Sequence, residues 1–339
     1  MSEYTGHDPA GREEILEAKE QACLEVMQNN PVIKKYFKIP QNIQEYREFL
    51  RSLKKIEGSE RYLMSDLLLG EGGVSEVWVG FDNQTGRPVA VKKIQFSAFT
   101  NIIKREIILS SQINHHNICQ IFDAVEKDGE YYIVEELLVG DSLLKGANKD
   151  GGGLSFEDIV DIARQISETL QYMHKKGILL NDLKPDNIFL VPDPDRPGRD
   201  LVKIIDFGSA ASRYEMSEEE PSVDDPEGKK IYELLEDVRK RNHAVTLGYC
   251  SPEQINVGMG GNSSVDEKSD LFGLGSVIYF MIKRRKPFKT KNEKTSLSAI
   301  EDQIITKHYN AGRLSEDPSV NPKLSALVEQ LLEPNPNKR

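Results

Sequence analysis

Along the first 60 residues the apolar positions recur with helical spacing. From Arg12 to Gln28 the recurring positions are Ile15, Leu16, Lys19, Cys23, Val26 and Met27, and Asn29-Asn30-Pro31 closes the pattern. A second helix is expected from Gln41 to Ile56, with Ile43, Tyr46, Phe49, Leu50 and Leu53 on one face and Gly58 beyond its end. Such a stripe most simply packs on the next domain; the sharper reading is a docking or regulatory element.

At Tyr62 the period changes. Leu67-Leu68-Leu69, Val77-Trp78-Val79 and Val89-Ala90-Val91 are short apolar runs separated by turn residues, the mark of strands. A helix is expected over Ala98–Ile113, then strands over Ile118–Val125 and Tyr131–Leu137, with Lys127-Asp128-Gly129 as a hairpin turn. After Asp141 the chain reads as mainly helical. The expected architecture is α+β: a helical extension over 1–60, a small antiparallel-sheet lobe over 61–138 and a larger, mainly helical lobe over 139–339. A cleft between two lobes is a natural ligand site. Residues 211 to 243 break the pattern and read as an insertion. Glu215 to Glu227 holds seven acidic residues and two prolines, and a short helix is expected from Lys229 to Arg241.

Composition narrows the function classes. The 339 residues are 38% hydrophobic and 29% charged, ordinary for a globular enzyme, and the net charge of −11 argues against a nucleic-acid partner. Cys23, Cys119 and Cys250 are scattered without metal-ligand spacing, which fits a reducing compartment. The N-terminus lacks a signal-peptide pattern, and the longest apolar stretch, Leu271 to Ile282, falls short of the roughly 20 residues a bilayer span needs. A cytoplasmic protein with no membrane span is expected.

The chemistry lies in four short motifs. Gly70-Glu71-Gly72-Gly73 is a glycine-rich turn whose backbone N–H groups could approach phosphate oxygens. Lys92 ends Val89-Ala90-Val91-Lys92, and Glu106, in the helix that follows, could steady it. Then come Asn181-Asp182-Leu183-Lys184-Pro185-Asp186-Asn187 and Asp206-Phe207-Gly208. Phosphoryl transfer needs a carboxylate near the attacking hydroxyl, a cation on the transferred group and oxygen ligands for magnesium. Asp182, Lys184, Asn187 and Asp206 supply these within a short stretch.

Together with Thr246-Leu247-Gly248-Tyr249-Cys250-Ser251-Pro252-Glu253, Asp270-Leu271-Phe272-Gly273 and Arg339, these motifs follow the order of the eukaryotic-like protein kinases, which residues 61–339 resemble. Ser251-Pro252-Glu253-Gln254 and Lys268-Ser269-Asp270-Leu271 look closest to the bacterial Hanks-type Ser/Thr branch. The resemblance implies a bilobal kinase fold, ATP and Mg2+ as cofactors, and protein substrates. It implies Asp182 as base, Lys184 on the γ-phosphate, Asn187 and Asp206 on magnesium, and Lys92 on the α/β-phosphates with Glu106 as its partner. Gly70 and Gly72 would lie over the phosphates; Val77, Ala90 and Phe189 would sandwich the adenine, and the backbone at Glu136 and Leu138 would meet its edge. Glu253 and Arg339 match a buried ion pair of the family. Lys184 and Thr246 point to serine or threonine as acceptor. His115, His116 and His174 fall at packing positions.

Four departures stand against this pattern. Leu180-Asn181 replaces His-Arg, Ser110 replaces a larger apolar residue, Glu135 guards the back of the adenine pocket, and the chain stops at Arg339, before the family's last helix. The rival reading is a pseudokinase or ATP-binding scaffold. The departures lie in support positions, whereas every residue expected to touch phosphate, metal or hydroxyl is present. A partner or regulator for residues 1–60 is a further expectation.

Overall fold

In the computed structural model, residues 9–30, 32–71, 75–94, 107, 109, 112–147, 153–212, 246–289 and 296–339 are described. Gly72, Glu106, Ser110 and the insertion from Glu215 to Arg241 lie outside them, as does most of the helix expected over Ala98–Ile113. The chain divides into two units, residues 1–100 with 120–139 and residues 101–119 with 140–339.

The first unit opens with helices α1 (Pro9–Asn29), α2 (Ile33–Tyr36) and α3 (Ile43–Ser52). α3 starts at Asn42, whose side chain accepts a hydrogen bond from Glu45 N at 2.9 Å. It stops at Ser52, short of the expected Ile56, because Lys54 and Lys55 leave the helix to pair as strand β1 with β2 (Tyr62–Glu71). The sheet continues through β3 (Ser75–Asp82), β4 (Arg87–Ile94), β5 (Ile121–Lys127) and β6 (Glu130–Glu136), all pairs antiparallel, in the order β1-β2-β3-β4-β6-β5. Asp128 (φ 52°) and Gly129 (φ 83°) form the two-residue turn between β5 and β6, as their residue types demand.

The α3 stripe packs against the sheet, whereas the expected α1 stripe does so only in part: Cys23 and Met27 are buried, and Leu16, Lys19 and Val26 stay exposed. Cys23, Leu24 and Met27 of α1, Ile33 of α2 and Tyr46 of α3 are buried with Leu63 and Phe81, and Phe49 meets Phe81 edge-on at 5.4 Å between centroids. Arg47 and Glu20 tie α3 to α1 at 2.7 Å.

In the second unit, β7 (Asp141–Ser142) and α4 (Leu143–Gly146) precede the long helix α5 (Phe156–Lys175). Ser155 caps α5, accepting from Asp158 N at 3.1 Å. Strands β8 (Ile178–Leu179), β9 (Ile188–Pro192), β10 (Asp200–Ile204) and β11 (Ala211–Ser212) follow, then helices α6 (Pro252–Gly258), α7 (Glu267–Lys283), α8 (Leu297–Ile305) and α9 (Pro322–Leu331). The core centres on α7, which is buried nearly all round, against Ile159, Ile166 and Leu170 of α5 and Val328 and Leu331 of α9. The strand expected from Ile118 begins only at Ile121. Asn117 and Cys119 instead bond the end of β10, Asn117 O accepting from Ile204 N at 2.8 Å and Cys119 N donating to Ile204 O at 2.9 Å. Among the described residues no helix is long and apolar enough to cross a membrane.

Candidate active site

Within the second unit, β9 and β10 pair antiparallel with Ile188 opposite Ile204. That register brings Asn187 and Asp206 to the same end of the hairpin, where Ile205 N donates to Asn187 O at 2.9 Å. Phe207 is buried in the core while Asp206 beside it is exposed. Asp206 adopts φ 67°, and Gly208 N donates to its Oδ1 at 3.1 Å.

Asp182 is held on three sides. Thr246 Oγ1 donates to Asp182 Oδ1 at 2.7 Å from 64 residues away. Lys184 Nζ donates to Asp182 Oδ2 and, at 3.1 Å, to Thr246 Oγ1. Asn187 Nδ2 donates to the main-chain oxygen of Asp182 at 3.1 Å and to its Oδ2 at 3.3 Å. Oδ2 thus takes two bonds and Oδ1 one, leaving Oδ1 room for another donor.

A buried carboxylate orients this loop from below. Asp270, in the first turn of α7, accepts from Leu180 N at 3.0 Å, Asn181 N at 2.8 Å and His174 Nε2 at 2.8 Å. Charge-assisted bonds of this kind are stronger than neutral ones. Gly273, one turn further along α7, permits the approach: a Cβ there would stand 3.2 Å from Leu183 Cβ. Asn181 takes φ 65°, a conformation asparagine tolerates better than most residues. Its Nδ2 donates to Ser209 O at 3.1 Å, and its own carbonyl accepts from Gln254 Nε2 at 2.7 Å. Gln254 also completes a capping box with Ser251 at the start of α6.

One residue before Gln254, Glu253 pairs with Arg339, whose side chain is wholly buried. Arg339 Nη2 donates to Glu253 Oε2 at 2.9 Å and its Nη1 to Oε1; Ser269 Oγ donates to Oε1 at 2.8 Å. Cys250, close by, is buried, and burial pushes its thiol up to about 12.

In the first unit, Val77 stands opposite Lys92 and Val79 opposite Ala90, so all four share one face of the sheet. Glu135 stands opposite Ala90 on β6, and Glu136 follows, its N–H donating to Gln120 O at 2.8 Å. Gly70 lies near the end of β2 opposite Val77, and Leu138 stands two residues beyond the end of β6. Phe189 is half-buried on β9 of the second unit. The structure therefore gathers Asp182, Lys184, Asn187 and Asp206 around one loop, and Val77, Ala90 and Lys92 on one face. Glu106 and Gly72 lie outside the described residues, and with Glu106 so does the expected pairing to Lys92.

Reading the residues for chemistry misses Asp270, Gln254 and Ser209 as supports of the loop, and gives His174 packing alone. Asp270 and Gln254 stand in short motifs that carry the family resemblance, but nothing local shows what they touch.

Comparison with known proteins bears on this site. The model of the protein kinase domain matches residues 63–339. The chain is 28% identical over 288 residues to a probable serine/threonine-protein kinase of Clostridium acetobutylicum, covering 83% of this chain and 38% of the relative. It is 31% identical over 242 residues to the probable serine/threonine-protein kinase PknB of Bifidobacterium longum, covering 67% and 31%. It is 27% identical over 280 residues to calcium-dependent protein kinase 5 of Plasmodium berghei, covering 82% and 44%. The chain thus spans less than half the length of each of these relatives.

Proposed function

This chain belongs to the Hanks-type serine/threonine branch of the protein kinase family, and on that premise we propose that it transfers the γ-phosphate of ATP to serine or threonine hydroxyls of protein substrates, with Asp182 as base. The observation that carries the reading is the Asp182 carboxylate, fixed by Lys184, Thr246 and Asn187 with acceptor capacity left on Oδ1.

The substrate hydroxyl would donate to Oδ1. As its oxygen bonds to the γ-phosphorus, the bond from phosphorus to the ADP oxygen breaks and the hydroxyl proton passes to Asp182. Lys184 sits beside the carboxylate and places positive charge where the transferred group gathers negative charge. Thr246 joins both groups, so the same hydroxyl orients base and cation.

The donor set at the β9–β10 end fits magnesium. Asp206 offers an exposed carboxylate; Asn187 commits its Nδ2 to Asp182 and keeps its amide oxygen as the remaining polar atom, and hard oxygen donors are what this ion takes. Bound there, the ion would neutralise phosphate charge. Lys92 would hold the α- and β-phosphates, Glu106 would steady Lys92, and Gly70 and Gly72 would bring backbone N–H groups to the phosphates. Val77, Ala90 and Phe189 would contact the base, with the backbone of Glu136 and Leu138 at its edge.

The test is incubation of the purified chain with labelled ATP, magnesium and a generic basic protein, reading phospho-residues by mass spectrometry. Phosphoserine or phosphothreonine is expected from the wild type and none from a folded Asp182→Asn variant. Wild-type turnover in that variant would refute Asp182 as base. An inert wild type that still binds ATP would leave the scaffold reading.

A further inference from the structure

An apolar cluster in the first unit carries the N-terminal helices onto the strands expected to hold the nucleotide base. Val79, Ala90 and Leu137 are buried together, and Val32, Tyr36 and Phe37 of the extension pack against them beside Val77. Val77 and Ala90 are the positions assigned to the base above, so the inference rests on that reading.

The segment is placed by several independent contacts. Asn30 Oδ1 accepts from Val32 N at 2.8 Å and so turns the chain into α2. Ile33 anchors that turn in the core shared with Phe81. Gln28 Nε2 donates to Pro40 O at 3.0 Å, closing the loop back onto α1. Phe37 meets Phe49 of α3 edge-on at 5.1 Å. The backbone of α1 lies so close to the β3–β4 turn that a Cβ on Gly86 would stand 2.5 Å from Cys23 O.

Ile33 is fully buried, yet Tyr36, Phe37 and Val77 are only half-buried. Here burial falls to the aliphatic Ile33, and the two rings stay half-buried where they pack with Val77 against Ala90 and Leu137, with Lys35 Nζ 5.4 Å from the centroid of the Tyr36 ring. Both rings therefore lie next to the two side chains assigned to the base and are not sealed in the core. Aromatic rings stack on nucleic bases whatever the base, through the π-face every base has. We propose that Tyr36 and Phe37 form an aromatic wall of the base pocket, which makes the N-terminal extension part of the nucleotide site.

Binding of adenosine, ADP and inorganic tripolyphosphate to the full chain tests this, with thermal unfolding to confirm that each variant is folded. The variants are Tyr36→Ala/Phe37→Ala, Tyr36→Leu/Phe37→Leu and Val77→Glu. The leucine pair keeps apolar bulk against Val79 and Leu137 and removes only the rings, so it decides the matter if the alanine pair does not fold. Expected are adenosine and ADP affinities about tenfold weaker in both double variants, unchanged tripolyphosphate binding, and a raised KM for ATP at unchanged kcat. Unchanged adenosine binding in the leucine pair, with Val77→Glu weakened, would overturn the wall and leave the base platform standing. Unchanged binding in all three variants would overturn the platform as well. Tighter adenosine binding in the double variants would show that the segment competes with the base, and would also overturn the wall.

Discussion

The side chain of Asn181 donates to the main-chain oxygen of Ser209 at 3.1 Å, tying the residue before the proposed base to the residue after Asp206-Phe207-Gly208. An arginine in this place would offer a cation to a phosphate on the activation segment. Asn181 carries no charge and spends its amide on the segment's own backbone. Activity is therefore expected not to depend on activation-segment phosphorylation. After phosphatase treatment, with dephosphorylation confirmed by mass spectrometry, kcat/KM should stay within about threefold. A fall of about tenfold or more would show that another cation takes a phosphate there.

Thr246 is the hinge of the charge pair. Thr246→Val keeps the shape and removes the hydroxyl that orients Asp182 Oδ1 and accepts from Lys184. A kcat loss of about ten- to a hundredfold is expected, with KM for ATP little changed, while Thr246→Ser should keep most of the rate. Steady-state kinetics on both variants decide it.

Asp270 should matter first for stability. It is buried, and among the described residues it is the acceptor for the N–H groups of Leu180 and Asn181. Asp270→Ala would leave both donors and His174 without their acceptor, at about 2–3 kcal/mol. Urea unfolding should show that loss, and kcat should fall with it, because the loop bearing Asp182 loses its support.

Glu253 and Arg339 form a buried, two-pronged ion pair. Removing one partner leaves the other charge in the core. Arg339→Met should cost about 3–5 kcal/mol in urea unfolding. Restoring neutrality with Glu253→Gln in the same chain should recover part of it, and no recovery would mean that the pairing contributes little.

Cys250 tests burial directly. With its thiol pushed up to about 12, only ~1 part in 10,000 is thiolate at pH 8, and the thiolate is the form that alkylates. Iodoacetamide should leave Cys250 unmodified in the native chain and label it fully in denaturant, read by peptide mass spectrometry. Rapid labelling of native protein would contradict the packing around it.

Adjacency in the chain made part of this legible beforehand. Asp182, Lys184 and Asn187 fall within six residues of one another, so their residue types and spacing marked a charged loop before any contact was known. The Asp128-Gly129 turn was readable for the same reason, since a two-residue hairpin depends on local backbone preferences. Strand and helix periods likewise marked the change at Tyr62, but they left the ends of elements open. Whether Lys54 pairs with Met64, or Cys119 with Ile204, depends on a distant strand competing for the same backbone groups. Thr246 on Asp182, Asp270 under Asn181 and Phe37 beside Ala90 were decided only by tertiary structure. An apolar stripe or a lone carboxylate states what a side chain needs, burial or a donor, and many surfaces could satisfy it. Only the crossing of chain segments far apart in sequence selects one.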